Sequence, residues 1–284
     1  MNKLKIVIPK GRLSKNVIAV LNEVGMGIET DDRSYIPRVK TADMGAKIMK
    51  PQNIPSLVEF GSHDVGFTGY DWIKETGADV EVLLDLNFNP VSIVAAIPES
   101  MDPASLFSRK IAVATEYPEL AARYLDERGF EYGLIRTFGA TEVFPPDDAD
   151  MIIDNMSSGR TLEEHNLKVM DRLLFSTTRM LANKNALMDP WKKRKIDELK
   201  MLVQSVLDAE DRVMLEMNVP ADKLATVVPQ LPCMRAPTVA RLYGDEGYAV
   251  KIAIKKSECI TLIPKLKEMG AVDILEYDCK KVMA

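Results

Sequence analysis

Residues 149–162 read ADMIIDNMSSGRTL and hold a dense set of groups able to do chemistry. An apolar run, Met151–Ile153, leads to a carboxylate at Asp154, which the pattern places at the exit of a buried strand. Ser157, Ser158, Gly159, Arg160 and Thr161 follow. Hydroxyls and consecutive N–H donors around a glycine form a nest for an anion. A carboxylate one step upstream suits ribose hydroxyls or a bound magnesium ion. Together these residues fit a ribose 5-phosphate group. A plainer reading exists, since Thr161-x-x-Glu164 has the form of a capping box and Asp154 that of an Asx turn. A cap needs one hydroxyl, however, and three lie within five residues.

Two further stretches offer less on their own. In Lys10-Gly11-Arg12 the glycine lets the backbone come close and the two cations can meet phosphate oxygens. A surface turn with two solvated cations explains the same residues. In DVGFTGYD (64–71), Gly66 and Gly69 permit tight turns, with Thr68-Gly69 as the turn itself. Thr68 and Asp71 are then polar groups at a helix start, which ordinary capping also explains. Glu116 follows an apolar run and Glu142 lies in Gly-Ala-Thr-Glu-Val. Each is a pocket residue or a helix-start acid, and the second fate is the commoner. With only His63 and His165, a His-rich metal site and a Ser-His-Asp triad are poorly supported.

These groups must be positioned by a repeated strand–loop–helix pattern. Leu4–Ile8 reads as strand and Leu13–Val24 as helix, with apolar residues at helical spacing. Strands follow at Lys47–Met49, Asp64–Phe67 and Val80–Leu86, with helices at Pro51–Phe60 and Tyr70–Glu75. A second series starts near Val91: strands at Val91–Ile97, Lys110–Ala114, Tyr132–Thr137 and Met151–Ile153, and a helix at Pro118–Arg128 closed by Gly129. Lys168–Ala182 reads as one long strand or two short ones. Alternation of this kind predicts an α/β fold with parallel strands, whose ligands bind where strands end and helices begin. Asp189-Pro190 starts a helix that runs to about Glu210. The last part reads β-α-β-β-α-β, a ferredoxin-like unit: strands Arg212–Val219, Thr238–Tyr243, Tyr248–Lys255 and Val272–Tyr277, helices Pro220–Leu231 and Cys259–Met269, and a hairpin turn at Gly244–Gly247.

Composition narrows the class. The chain has 284 residues, 46% of them hydrophobic and 28% charged, with a net charge of −5. That allows two or three domains with sizeable cores and argues against a general nucleic-acid or membrane-surface binder. Cys233, Cys259 and Cys279 are odd in number and lack C-x-x-C spacing, so reduced thiols in a cytoplasmic protein are expected. The apolar run near the N-terminus is too short for a signal peptide, and no segment reaches the ~18–20 apolar residues of a membrane span. The sixteen methionines are spread out as core filler.

Taken together, PKGRL (9–13), KPQNIPSLVEFGSHDVGFTGYDWI (50–73), VATEYPELAARYL (113–125), GATEVFPPDDADMIIDNMSSGRTLEEHNL (139–167) and NVPADKLATVVPQLPCMRAPTVARL (218–242) resemble the long form of the ATP phosphoribosyltransferases. GAVDIL (270–275) closes the match, which spans nearly the whole chain in the right order. The resemblance implies two α/β domains like those of periplasmic binding proteins, flanking a cleft: residues 1–90 with 180–211, and residues 91–179. A ferredoxin-like regulatory domain, 212–284, would bind histidine. The implied reaction joins ATP to phosphoribosyl pyrophosphate, releases pyrophosphate and uses Mg²⁺. Histidine and AMP would inhibit, the chain would form dimers and hexamers, and no separate regulatory subunit, nucleic acid or membrane would be needed.

The resemblance also distributes roles. Ser157, Ser158, Gly159, Arg160 and Thr161 would hold the 5-phosphate, with Asp154 near the ribose and indirectly near Mg²⁺. Lys10, Gly11 and Arg12 would line the nucleotide and pyrophosphate site, with Lys10 counted among the catalytic residues beside Asp154 and Glu142. Lys50, Thr68 and Asp71 would contact substrate. Asn218, Met234, Ala236, Thr238 and Asp273 would form the histidine pocket. Lys50 stands where the family has Arg, which keeps the charge but loses the bidentate fork. Asn53 stands where Asp is usual, and Asn218 replaces an acid that would pair with histidine. Adenine N1 carries its own lone pair, so no general base is assigned, and Asp154 and Glu142 have orienting or stabilising roles. A solute-binding protein without chemistry and an amino-acid sensor are the alternatives from other classes.

Overall fold

A strand buried on both faces belongs in the middle of a sheet covered by helices. Leu4–Pro9 (β1) is such a strand, with Leu4, Ile6, Val7 and Ile8 fully buried. The computed structural model describes residues 2–31, 35–244 and 247–283. From β1 the chain turns at Gly11–Leu13 into α1 (Ser14–Val24), whose Val17, Val20 and Leu21 point inward at helical spacing. β2 (Ile28–Glu29) and β3 (Arg38–Val39) form a short antiparallel ladder. Then come β4 (Met44–Met49), α2 (Ile54–Glu59), β5 (Val65–Gly69), α3 (Tyr70–Thr76) and β6 (Glu81–Asp85). β4 and β5 flank β1 in parallel.

The chain next builds a second sheet from β7 (Val91–Pro98), β8 (Ile111–Thr115), α4 (Pro118–Arg128), β9 (Tyr132–Arg136), β10 (Met151–Met156), α5 (Arg160–Glu164) and β11 (Leu167–Ser176). Its strand order is β11-β7-β10-β8-β9. β8, β9 and β10 are parallel, and β7 runs antiparallel to β10 and β11. Ile93, Val113, Leu125 and Ile153 form part of its core. Each such side chain contributes about 1.5–3 kcal/mol on burial, which holds the strand ends in place for the site. β12 (Thr178–Ala182) returns to the first sheet, antiparallel between β5 and β6, giving the order β4-β1-β5-β12-β6.

α6 (Lys184–Met188) is capped by the Asn183 side chain, which accepts from the Ala186 N–H at 2.8 Å. α7 (Pro190–Glu210) starts on Asp189, whose carboxylate accepts from the N–H groups of Trp191 and Lys192, both at 2.9 Å. Contacts divide the chain into two units, one up to Asn22 with Met26–Asp197, the other Glu23–Gly25 with Glu198 onward. The second unit holds β13 (Arg212–Pro220), α8 (Leu224–Val227), β14 (Thr238–Arg241), β15 (Gly247–Lys255), α9 (Lys256–Glu268) and β16 (Val272–Asp278). Its sheet has the order β14-β15-β13-β16 with every neighbour antiparallel, the ferredoxin-like arrangement.

Several expectations need correction. Thr68-Gly69 is not a turn: β5 continues through Gly69, and α3 starts directly after it. β10 runs on to Met156, so Asp154 lies inside the strand, opposite Val94, rather than at its exit. Of the two readings left open for Lys168–Ala182, the structure has two strands, and they lie in different sheets. The helix expected over Pro220–Leu231 shrinks to α8 and a 3-10 turn at Val228–Gln230, because Pro229 has no N–H to continue the α-helical ladder. The hairpin turn expected at Gly244–Gly247 includes Asp245 and Glu246, which lie outside the described residues.

Candidate functional site

Asp154 is presented by β10 between the buried core below and the loop above. Its Oδ1 accepts from the Asn155 backbone N–H at 2.6 Å and from the Asn155 side chain at 3.0 Å. The Thr141 hydroxyl also reaches it, and that hydroxyl lies 2.8 Å from Thr137 Oγ1. Burial pushes the Asp154 carboxyl above its ordinary range and Glu142 adds to the rise, while Thr141 and Asn155 oppose it. Beyond it, Ser157, Ser158, Gly159 and Thr161 line a cavity of about 290 Å³ together with Glu142 and Glu116. This cavity brings together most of what the sequence grouped.

Two details of that loop differ from expectation. The N-cap of α5 is Gly159, in the left-handed region at φ +85°, and no side chain caps the helix. Thr161 therefore falls inside the helix and no Thr161–Glu164 box forms. Glu164 instead accepts from Arg160 Nε at 2.7 Å, on an exposed i,i+4 pair. Arg160 is thus turned to Glu164 and does not line the cavity.

Lys10 and Arg12 line a second, inner cavity of about 190 Å³ with Asp71, Trp72, Glu116, Tyr117 and Ser176. Lys10 donates from Nζ to the Tyr35 hydroxyl at 2.8 Å, which holds the Tyr35 phenol below its ordinary range. Gly11 has φ +80° and open space where a Cβ would be, but it does not line this cavity. Asp71 is almost fully buried: it accepts from Ser176 Oγ at 2.5 Å and from Tyr117 OH at 2.9 Å, and its own N–H donates to Ser176 Oγ at 3.0 Å. Trp72 stacks on Tyr117 with centroids 4.4 Å apart. Desolvation raises the Asp71 carboxyl, and burial with the neighbouring Asp71 and Asp154 raises the Tyr117 phenol. Thr68 is withheld from these cavities, its hydroxyl donating to the Pro51 carbonyl at 3.0 Å and its side chain wholly buried.

Lys50 lines a third cavity, of about 510 Å³, beside Gln52, Arg123, Arg136 and Phe138. Glu116 borders all three cavities. Burial raises its carboxyl, Asp154 adds to the rise and Lys50 opposes it. Glu75 fixes the segment that carries it: the buried Glu75 carboxylate accepts from the N–H groups of Glu119 and Leu120 at 3.0 and 2.9 Å, the free donors at the start of α4. Sequence reading ranked Glu116 low and passed over Glu75, Tyr117, Thr141 and Ser176. The signal available for Glu116 was its place directly after a buried strand.

In the second unit, Asn218 Nδ2 donates to Asp273 Oδ2 at 2.9 Å, and both line a cavity of about 460 Å³. Met234, Ala236 and Thr238 do not line it. Thr238 sits on β14 and Asp273 on β16, the two opposite edges of the sheet, three strand spacings or ~14 Å apart. Among the described residues no group of three or more His, Cys, Asp or Glu side chains is arranged to hold a metal, all three cysteines are free, and no helix is long and apolar enough to cross a membrane.

Two α/β sheets that converge on a hydroxyl-rich loop and buried carboxylates, followed by a βαββαβ unit, define an α/β protein built to hold phosphate-bearing small molecules. Residues 50–205 match the family model described as ATP phosphoribosyltransferase, and residues 209–281 match the model described as HisG, C-terminal domain. The ATP phosphoribosyltransferase of Thermodesulfovibrio yellowstonii is 37% identical over 99% of this chain and 98% of its own length. That of Pelotomaculum thermopropionicum is 36% identical over 99% of both. Among solved structures, the ATP phosphoribosyl transferase (HisG:HisZ) complex from Thermotoga maritima aligns with a TM-score of 0.64 at 25% identity, covering 71% of this chain and 98% of that one. The chain belongs to the ATP phosphoribosyltransferase family.

Proposed function

We propose that the protein transfers the phosphoribosyl group of phosphoribosyl pyrophosphate to N1 of ATP, giving phosphoribosyl-ATP and pyrophosphate, the first step of histidine biosynthesis. The observation that carries this reading is the cavity lined together by Ser157, Ser158, Thr161, Asp154 and Glu116. The loop is exposed and carries hydroxyls and N–H donors for the 5-phosphate. Asp154 and Glu116 then border the ribose, where positive charge builds as the anomeric carbon loses pyrophosphate. Carboxylates preorganised there stabilise that charge. N1 attacks with its own lone pair, so the protein supplies positioning and electrostatics rather than a base.

Mg²⁺ fits this donor set as a substrate-held ion. It commonly takes one or two carboxylates plus substrate phosphates, and Asp154, Glu142 and Glu116 face one cavity without forming a closed protein cage. When bound, the ion neutralises charge on the leaving pyrophosphate. Lys10 and Arg12, in the inner cavity, complement the nucleotide side.

The regulatory reading is feedback inhibition by histidine, with AMP as a second inhibitor, in a cytoplasmic homo-oligomer (dimer or hexamer) that needs no separate subunit. Asp273 on β16 and Thr238 on β14 lie at the two edges of one sheet, with Asn218 on the interior strand β13. The test is turnover of ATP and phosphoribosyl pyrophosphate with Mg²⁺, followed by the ultraviolet absorbance of phosphoribosyl-ATP, with and without histidine. A folded sample that produces none sinks the catalytic reading. Unchanged histidine inhibition in an Asp273→Ala variant sinks the regulatory one.

A further inference from the structure

Neighbouring side chains of a β-strand point to opposite faces of its sheet. In β10 this divides the residues into two rows. Met151 and Ile153 join the core that holds Trp72 and Tyr117, and Asn155 is the polar residue next in that row. Ile152 and Met156 pack in a separate core, and Asp154 stands between them in the other row. The rows end at different cavities. Asp154 lines the cavity of the 157–161 loop and not the inner one. Asn155 lines both, beside Trp72 and Tyr117 in the inner cavity.

Asn155 nevertheless reaches across to the acid. Its backbone N–H and its side-chain Nδ2 both donate to Asp154 Oδ1, at 2.6 and 3.0 Å. Two donors on one oxygen restrict how the carboxylate can turn. That restraint has something to work against: Glu142 and Glu116 share the cavity with Asp154, and like charges repel. The Thr141 hydroxyl also reaches Asp154, but Thr141 is wholly buried and tied to Thr137 Oγ1 at 2.8 Å. Asn155 is exposed. Among the described residues its side chain bonds only to Asp154, and none donates to its Oδ1. The amide therefore serves the carboxylate rather than the packing of the strand.

We propose that Asn155 is a positioning residue, whose amide, in the wall shared by the two cavities, holds the Asp154 carboxylate in the orientation that stabilises the charge on the reacting ribose. The proposal rests on the phosphoribosyl-transfer reading for that charge. A group fixed in advance stabilises the transition state without having to reorganise, so Asn155 acts on the rate and not on substrate binding.

Asn155→Leu is close to the amide in size and lacks its donor, and Asn155→Gln keeps the donor on a longer arm. Both replace an exposed side chain and should fold with Tm unaltered. On the full chain with Mg²⁺, turnover gives kcat and the KM for ATP and for phosphoribosyl pyrophosphate, and the Leu variant is crystallised beside the unaltered protein. The kcat of Asn155→Leu is expected to fall about tenfold, the size of one charge-assisted hydrogen bond, with both KM values unchanged. Asn155→Gln is expected to lose less, and the crystal structure of Asn155→Leu to show the Asp154 carboxylate rotated. A Leu variant with full kcat, or with Asp154 unmoved, overturns the proposal. So does a raised KM at unchanged kcat, which would make Asn155 a substrate contact instead. If the unaltered protein turns nothing over, the transfer reading falls, and the Asp154 orientation in the two crystal structures still decides whether Asn155 positions it.

Discussion

At the scale of single residues, Gly69 shows how one missing methyl group makes room for a buried carboxylate. A Cβ at this position would lie 2.1 Å from Asp71 Oδ1. Glycine is needed here for space rather than for backbone conformation, since the strand is extended at this point. Gly69→Ala must displace the Asp71 carboxylate and break its bonds to Ser176 and Tyr117. The expected loss is about 2–3 kcal/mol, combining overpacking with unsatisfied buried groups. Urea unfolding should report that loss, and turnover should fall because Asp71 and Tyr117 wall the inner cavity. Unchanged stability would mean that the Asp71 carboxylate has another position at no cost.

At the scale of elements, Glu75 links α3 to the start of α4 and so places Glu116 and Tyr117, which immediately precede that helix. Glu75→Ala removes an acceptor shared by two N–H groups in a buried setting. It should cost about 1–2 kcal/mol, the range for loss of a helix N-cap. Turnover should fall with it, because the helix start moves and takes Glu116 along. A variant with full activity and a lowered unfolding midpoint would confine Glu75 to stability. None of this was legible in spacing. Tyr117 and Ser176 reach Asp71 across 46 and 105 residues of chain, and local pattern carries no information on such partners. Periodicity did show where most strands and helices lie, including α4 and its Gly129 stop, because burial on one face leaves a local trace. The glycines were harder to read. Gly69 has the composition of a turn but serves as a gap for a side chain, and Gly159 took the N-cap that the Thr161-x-x-Glu164 pattern claimed for Thr161.

At the scale of the whole molecule, stability on the acid side of neutrality has a contribution from His63. Its ring is buried, and Nδ1 has no hydrogen-bond partner. Burial lowers the imidazole pKa most, Lys47 and Lys5 lower it further, and Asp64 opposes them. Asp64 is itself held by the Lys192 ammonium at 2.8 Å and by the Lys5 N–H at 2.8 Å, so its charge is largely committed elsewhere. A histidine whose folded pKa lies below the unfolded one takes up its proton more readily when unfolded. Its contribution is therefore complete above the unfolded value of about 6.5 and is lost as pH falls from there through the lower folded value. His63→Leu removes this titration along with the unsatisfied nitrogen. The variant should track the original protein's Tm with a constant offset above neutrality and then gain on it as pH drops below about 6.5. Thermal unfolding from pH 8 to pH 5 measures the difference. Parallel curves across that range would show that the ring stays neutral, or is equally easily charged, in both states, and the acid sensitivity would then belong to the carboxylates alone.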